Sequence, residues 1–348
     1  MEISVNFSST TSRNYKVYID ALTNLVCKGK VAIVTNESIA NLHLEWLRER
    51  ISADELHVII IPEGETHKNL ASIEAILLRL MELRFDRNST LIAFGGGIVG
   101  DMTGFSAAIF QRGVDFIQIP TTLLAQVDAS VGGKTGVNTS YGKNLIGAFH
   151  QPLAVYCESR FLETLPKREF SAGIAEIIKM AVTFDEEFFK FLESCDLDEV
   201  NDLRKAIAKS IKIKAKVVEE DEKEAGVRSV LNYGHTFGHV VENKTNYTQF
   251  LHGEAVAIGM RMANALAFEM GLIEKKEENR IKDLLAKYSL LFRYEVKEPE
   301  DFYETFFLDK KSRDKKITFI LPKGIGKYAI MQNISKKKVL NMLSKFDK

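Results

Sequence analysis

The chain has 348 residues, more than one typical unit of roughly 100–200, which excludes a small stapled module and predicts two domains or one large α/β domain. Its 45% hydrophobic and 27% charged residues exclude a disordered chain, and 47 Lys+Arg against 47 Asp+Glu leave no net field to draw it to nucleic acid or an anionic membrane. Any anion must therefore be bound locally.

The N-terminus has no basic region followed by an apolar run, and no stretch approaches about 18 consecutive apolar residues. Cys27, Cys157 and Cys195 lie far apart and form no CxxC pair, so the chain reads as a soluble, cytoplasmic protein with reduced structural thiols. Up to about residue 157, β-branched runs at Lys30–Thr35, Leu56–Ile61, Thr90–Phe94, Asp115–Ile119 and Ala154–Cys157 alternate with helical patterns at Glu37–Ile51, Leu70–Phe85 and Asp101–Phe110. That alternation predicts βαβ units on a parallel sheet. Beyond Pro166 helical patterns follow one another at Glu169–Thr183, Leu203–Glu219, Thr236–Asn243, Glu254–Met270 and Lys275–Tyr288. One hairpin, Ile317–Leu321 with Tyr328–Met331, interrupts them. The expected division is an α/β domain over 1–165 and a mainly α-helical domain over 166–348.

Strand Thr90–Phe94 runs into Gly95-Gly96-Gly97-Ile98-Val99-Gly100-Asp101 and then a helical pattern, which is GxGxxG in a strand–turn–helix setting. Glycine lets the backbone approach a pyrophosphate, whose charge meets free N–H groups and the positive end of the helix dipole. The plain alternative is a tight βα turn. No acidic residue ends the following strand, because Asp115 begins it, so a bound dinucleotide needs its ribose and adenine held elsewhere. Glu63-Gly64-Glu65-Thr66-His67-Lys68, just after an earlier strand, is a candidate.

A second loop, Ser130–Asn138, contains Gly133-Lys134-Thr135 but lacks phosphate-loop spacing, since Asp128 stands where a glycine is required. Pro120-Thr121-Thr122 upstream and Gly142-Lys143-Asn144 downstream add hydroxyl, ammonium and amide groups. Their density predicts a polar site at the C-terminal edge of the sheet.

His235 and His239 stand one helical turn apart in Asn232-Tyr233-Gly234-His235-Thr236-Phe237-Gly238-His239, so both imidazoles can point at one spot. His252 follows in Leu251-His252-Gly253-Glu254, and Glu176 lies on an otherwise apolar helix with Lys179 one turn on. One Glu and two His with an open position make a catalytic zinc set. Spacing alone pairs His235 with His239 and leaves His252 open, while Glu176 with Lys179 can be a simple ion pair.

The segments Gly95–Asp101, Pro120–Asn138, Gly142–Pro152, Ala172–Lys179, Asp221–Glu242 and Leu251–Met260 together resemble the 3-dehydroquinate synthases, over about residues 30–330. The resemblance implies a Rossmann-like dinucleotide-binding domain followed by an all-α metal-binding domain. It also implies one Zn²⁺ (or Co²⁺) on Glu176, His235 and His252, which moves His239 to the substrate phosphate. NAD is implied at Asn36, Glu63, Gly64, Glu65, Thr66, His67, Lys68, Gly97, Ile98, Val99, Gly100, Asp101, Thr121, Thr122, Lys134, Lys143, Phe161, Leu162, Glu163 and Thr164. Catalytic and substrate groups are implied at Asp128, Lys134, Asn144, Lys179, Lys214, Arg228, Asn232 and His239. A lysine of Asp309-Lys310-Lys311, either Lys310 or Lys311, joins them, with spacing to Leu321-Pro322 favouring this motif over the second Asp-Lys-Lys at 314–316. Arg112 resembles a residue donated across a homodimer interface.

The implied reaction converts 3-deoxy-D-arabino-heptulosonate 7-phosphate to 3-dehydroquinate and phosphate. It passes through transient oxidation by NAD, β-elimination of phosphate, re-reduction and intramolecular aldol closure, in a site that domain closure shields from water. Another sugar phosphate cyclase, such as a 2-deoxy-scyllo-inosose or 2-epi-5-epi-valiolone synthase, shares fold, NAD and zinc with this family. A metal-dependent polyol dehydrogenase differs in releasing NADH stoichiometrically. A non-catalytic nucleotide-binding protein would make the histidine cluster a coincidence.

Overall fold

The computed structural model describes residues 1–7, 13–308 and 317–347. The chain divides into two units, Met1–Pro166 with Lys214–Lys223 and Lys167–Ile213 with Glu224–Lys348. The sequence pattern puts residues 214–223 on the second side of its boundary, whereas here they cluster with the first unit.

Unit 1 carries strands β1 (Glu2–Val5), β2 (Tyr15–Ile19), β3 (Leu25–Val26), β4 (Lys30–Thr35), β5 (Ile51–Ser52), β6 (Glu55–Ile60), β7 (Thr90–Gly95), β8 (Asp115–Pro120), β9 (Lys134–Thr139), β10 (Gly142–Phe149) and β11 (Ala154–Cys157). Seven of them form one sheet in the order β1-β2-β11-β8-β7-β4-β6. Among the described residues of this sheet, the β1–β2 pairing is antiparallel and the others are parallel. β4 and β7 are near-continuous apolar runs, and β8 is broken only by the buried Gln118, with Val31, Ile33, Ile92, Phe94, Phe116 and Ile119 buried, as a sheet covered on both faces requires. Helices α1 (Glu37–Arg48), α2 (Leu70–Glu82) and α3 (Gly97–Ile109) connect them. The Asn36 side chain caps α1 by accepting from the Ile39 N–H at 3.0 Å, and Asn69 caps α2 in the same way through Ser72.

From β4 the chain moves outward to β6, then returns past β4 to lay down β7 and β8 on the other side. The order therefore reverses between β4 and β7, where open parallel sheets form a ligand crevice beyond the strand ends. Two local expectations change. α3 starts at Gly97 and not at Asp101. Lys134–Thr139 is strand β9 of an antiparallel hairpin with β10 and not a loop. Packing against α3 makes it a strand: a Cβ on Gly104 of that helix would lie 2.5 Å from Thr135 Cγ2.

Unit 2 carries α4 (Lys167–Phe184), α5 (Glu186–Ser194), the first part of α6 (Val200–Glu220), α7 (His235–Lys244), α8 (His252–Glu269), α9 (Lys275–Lys287), α10 (Pro299–Thr305) and α11 (Lys336–Lys345). An antiparallel hairpin of β12 (Phe319–Pro322) and β13 (Tyr328–Met331) accompanies them. α8 is buried nearly all round, with Ala255, Val256, Ile258, Met260, Met262 and Leu266 in the core, so it is the central helix of the unit. Glycines bring its neighbours to backbone contact. A Cβ on Gly253 would overlap the Ala172 carbonyl oxygen of α4, and one on Gly259 would overlap the Gly234 carbonyl oxygen at the start of α7.

Candidate functional site

In unit 1 the implied nucleotide residues gather beyond the C-terminal ends of β4, β6, β7, β8 and β11. Asn36 follows β4, and Glu63, after β6, accepts from the Ser38 N–H at 2.9 Å. A hydrogen bond from the Ser38 side chain, and then this N–H, hold the Glu63 carboxyl below its ordinary value. Gly64 leads into a one-turn 3-10 helix of Glu65, Thr66 and His67. Lys68 is the hub of a polar network. Its Nζ donates to Asp101 Oδ2 at 2.5 Å and to Asn144 Oδ1 at 2.6 Å, and its carbonyl accepts from the Asn138 N–H at 2.8 Å. Asn138 in turn donates to Glu65 at 2.6 Å and accepts from the Asn144 N–H at 2.9 Å. Burial pushes the Asp101 carboxyl above its ordinary value while the Lys68 ammonium pulls it down.

Gly97, Ile98, Val99 and Gly100 form the first turn of α3, whose N-terminus has no side-chain cap. A Cβ on Gly100 would lie 2.8 Å from Gln118 Oε1 of β8, so this third glycine serves helix–sheet packing. Thr121 donates its N–H to the Gly95 carbonyl at 2.9 Å, and Thr122 accepts from the Ala125 N–H at 3.2 Å. Phe161, Leu162, Glu163 and Thr164 lie in the 3-10 segment after β11. Phe161 is buried against Phe94, Trp46 and His43, and Thr164 meets His43 Nε2 at 2.7 Å. The Phe161 ring therefore fills core. Burial pushes the His43 imidazole below its ordinary value.

The cationic groups fall into two sets. In unit 1, Lys134 is exposed at the head of β9 and Lys143 half-buried on β10, while Lys214 is buried and donates to both the carbonyl and the carboxylate of Asp128. Arg112 is exposed on a turn where Gln111, Arg112 and Gly113 all take positive φ. In unit 2, Arg228 is buried and Asn232 donates to Glu224 at 2.7 Å. Glu224 escaped sequence reasoning because nothing in its spacing marks it; its positive φ of 58° appears only in the fold. Lys310 lies outside the described residues.

The metal donors come from three helices of unit 2. Glu176 of α4 is fully buried and ion-paired to Lys179, itself 1% exposed. His235 Nε2 lies 3.4 Å and His252 Nε2 3.8 Å from Glu176 Oε1. Four ligands at about 2.0–2.1 Å in a tetrahedron stand about 3.3–3.4 Å apart, so these donors are spaced to share one ion. Lys179 compensates the buried Glu176 carboxylate at Oε2, while Oε1 faces the Nε2 atoms of both imidazoles. The donor set thus fits a divalent metal. His235 and His239 have ring centroids 5.5 Å apart, yet His239 groups with Glu242 and His252, so one-turn spacing alone does not select the closest donor set. Both imidazoles beside Glu176 turn Nδ1 outward, His235 to the Tyr233 carbonyl at 3.3 Å and His252 to Glu242 Oε1 at 3.4 Å. Glu242 is a further residue that spacing did not single out.

The geometry agrees with what comparison with known proteins finds. Residues 58–172 match the family model described as 3-dehydroquinate synthase N-terminal, and residues 173–312 match 3-dehydroquinate synthase C-terminal. A 3-dehydroquinate synthase of Sulfurovum sp. is 59% identical over 100% of this chain and 99% of its own length. One of Nitratiruptor sp. is 55% identical over all of both chains. Among solved structures, a 2-epi-5-epi-valiolone synthase from Streptomyces hygroscopicus subsp. jinggangensis 5008 with NAD⁺ and Zn²⁺ bound superposes with a TM-score of 0.87 at 25% identity, covering 97% of this chain and 98% of that one. With two matched models running without a break from 58 to 312 and relatives aligned end to end, this chain belongs to the 3-dehydroquinate synthase family.

Proposed function

We propose that this protein converts 3-deoxy-D-arabino-heptulosonate 7-phosphate to 3-dehydroquinate and phosphate, a phosphate-eliminating lyase reaction of the shikimate pathway that uses NAD and one Zn²⁺ or Co²⁺. The observation that carries the reading is the Glu176–His235–His252 donor set, in a chain aligned over its whole length with 3-dehydroquinate synthases. A metal ion held by those donors supplies Lewis-acid polarisation of a substrate hydroxyl. NAD⁺, held by Asn36, the Glu63–Lys68 segment, the Gly97–Asp101 turn, Thr121, Thr122, Lys134, Lys143 and the backbone around Phe161–Thr164, supplies a reversible hydride acceptor.

The chain's own residues do the positioning. Lys214, locked on Asp128, presents a cation that needs little reorganisation when an anionic substrate arrives. Arg228, Asn232, His239, Asn144 and Lys134 are assigned to the substrate's carboxylate and phosphate, where fixed charge favours departure of the phosphate dianion. Lys179 keeps the Glu176 carboxylate compensated inside an apolar helix bundle. We assign Arg112 to a second subunit's site in a homodimer, and the protein to the cytoplasm. Among the described residues no helix is long and apolar enough to cross a membrane.

The test is phosphate release from this substrate with substoichiometric NAD⁺, with and without a chelator, while NADH is followed. Many chelator-sensitive turnovers per NAD⁺ without NADH build-up are expected. One NADH per turnover would point to a polyol dehydrogenase. The likeness to the 2-epi-5-epi-valiolone synthase favours a second reading, a cyclase for another sugar phosphate, and no phosphate release from the heptulosonate would select it.

A further inference from the structure

α7 places three polar side chains on one stripe: His235, His239 one turn on, and Glu242 two turns on. Glu242 is 3% exposed, too buried for a carboxylate without a partner. Its Oε1 lies 3.4 Å from Nδ1 of His252, the residue that opens α8. The same imidazole turns Nε2 toward Glu176 Oε1, at 3.8 Å. A neutral imidazole carries one N–H, and a carboxylate beside Nδ1 draws the proton to that nitrogen, leaving the Nε2 lone pair directed at the donor cluster. His235 gains the same tautomer from a neutral carbonyl, that of Tyr233. The Nδ1 of His252 thus faces a carboxylate where that of His235 faces a carbonyl, and the carboxylate makes His252 the more basic ligand.

We propose that Glu242 is a positioning residue of the metal centre, fixing the tautomer and orientation of His252 so that its Nε2 faces the ion. The proposal rests on the metal reading of Glu176, His235 and His252. His239, Glu242 and His252 also bring donor atoms within 4.8 Å of one another. A second ion there would need His252 to give up its Nδ1 proton and bridge two metals. The outer carboxylate requires no such bridge.

The experiment measures Zn²⁺ affinity and stoichiometry by competition with a chromophoric chelator, together with the visible absorption of the Co²⁺ form, in the wild type, Glu242→Gln, Glu242→Ala and His235→Ala. Glu242→Gln keeps the side-chain shape and loses the charge; it should weaken Zn²⁺ about 10-fold and shift the Co²⁺ bands, with Glu242→Ala approaching 100-fold. The metal-free Glu242→Gln protein should melt as the wild type does. Glu242→Gln with wild-type affinity and unchanged Co²⁺ bands overturns the proposal. So does a weakening matched by lower metal-free stability with unmoved bands, which assigns Glu242 a structural role. A second equivalent of metal lost selectively in Glu242→Gln also overturns it. A wild type that takes up no metal, or a His235→Ala variant that binds as well as the wild type, removes the metal centre itself and the proposal with it.

Discussion

Lys68 joins segments that lie far apart in the chain. Its side chain is 6% exposed, that of Asp101 22%, and its two acceptors stand 33 and 76 residues further along. Replacing it by Met strands the Asp101 carboxylate. The expected loss is roughly 2–3 kcal/mol, less than for a fully buried pair because Asp101 keeps some water. Lys68→Met with Asp101→Asn should recover most of that loss in denaturant unfolding, since the double variant buries no lone charge. The pH dependence has a definite sign. Burial puts the folded Asp101 pKa above its ordinary 3.8, so ionising it costs the fold, and stability from this group falls as pH rises through that range. Lys68 offsets that cost. The Lys68→Met deficit should therefore be largest at neutral pH and shrink as pH falls toward about 4; a deficit constant across that range would contradict the ion-pair account. The sequence marked Glu63–Lys68 as a segment of interest through its place after a strand, but neither partner of the ammonium was visible, because the link closes only when β6, α3 and β10 converge.

The start of α8 shows how an element carries a ligand into place. Glu254 accepts the Leu251 N–H at 2.8 Å, capping the helix that His252 opens, and Arg168 grips the same carboxylate at 2.6 and 2.7 Å while donating to the Gln249 carbonyl. Gly253, between ligand and cap, leaves no room for a Cβ against α4. Gly253→Ala should push the α8 start away from Glu176, abolishing stoichiometric Zn²⁺ uptake and costing at least about 2 kcal/mol by the overpacking rule. Gly271, at the far end of the same helix, has φ of +70° and nothing within 4 Å of a Cβ. Gly271→Ala should cost about 1 kcal/mol through backbone strain alone and leave Zn²⁺ affinity unchanged. Equal metal affinities for the two variants would remove the packing argument. Elements with strong periodicity, such as β4, β7, α8 and α9, were legible because one pattern dominates each. The β9–β10 hairpin was not, since Gly136 and Gly147 break its alternation and polar residues such as Asn138, Lys143 and Asn144 line it.

At the scale of the molecule the two functional sets separate by unit: the glycine turn, the Lys68 network and the Lys214–Asp128 pair belong to the first, the metal donors to the second. The change from alternating to helical periodicity near Pro166 made most of that division readable. The tail of α6 was hidden, because a continuous helical pattern gives no sign that its last turns cluster with another core. The ligand set needed more than spacing, since His235 and His252 are separated in sequence and meet only through the contacts of α7 and α8. The separation predicts that the cofactors can be removed one at a time. His235→Ala should lose stoichiometric Zn²⁺ and turnover yet bind NAD⁺ by calorimetry within about threefold of the wild type, because the residues assigned to NAD belong to unit 1 and the metal donors to unit 2. In the wild type, Zn²⁺ should raise the melting temperature in proportion to the logarithm of its concentration above Kd, and His235→Ala should lose that dependence while keeping the corresponding one for NAD⁺. Loss of both together would mean that the nucleotide loops depend on the metal helices for their shape, and would move the NAD-holding role away from the residues of unit 1 alone.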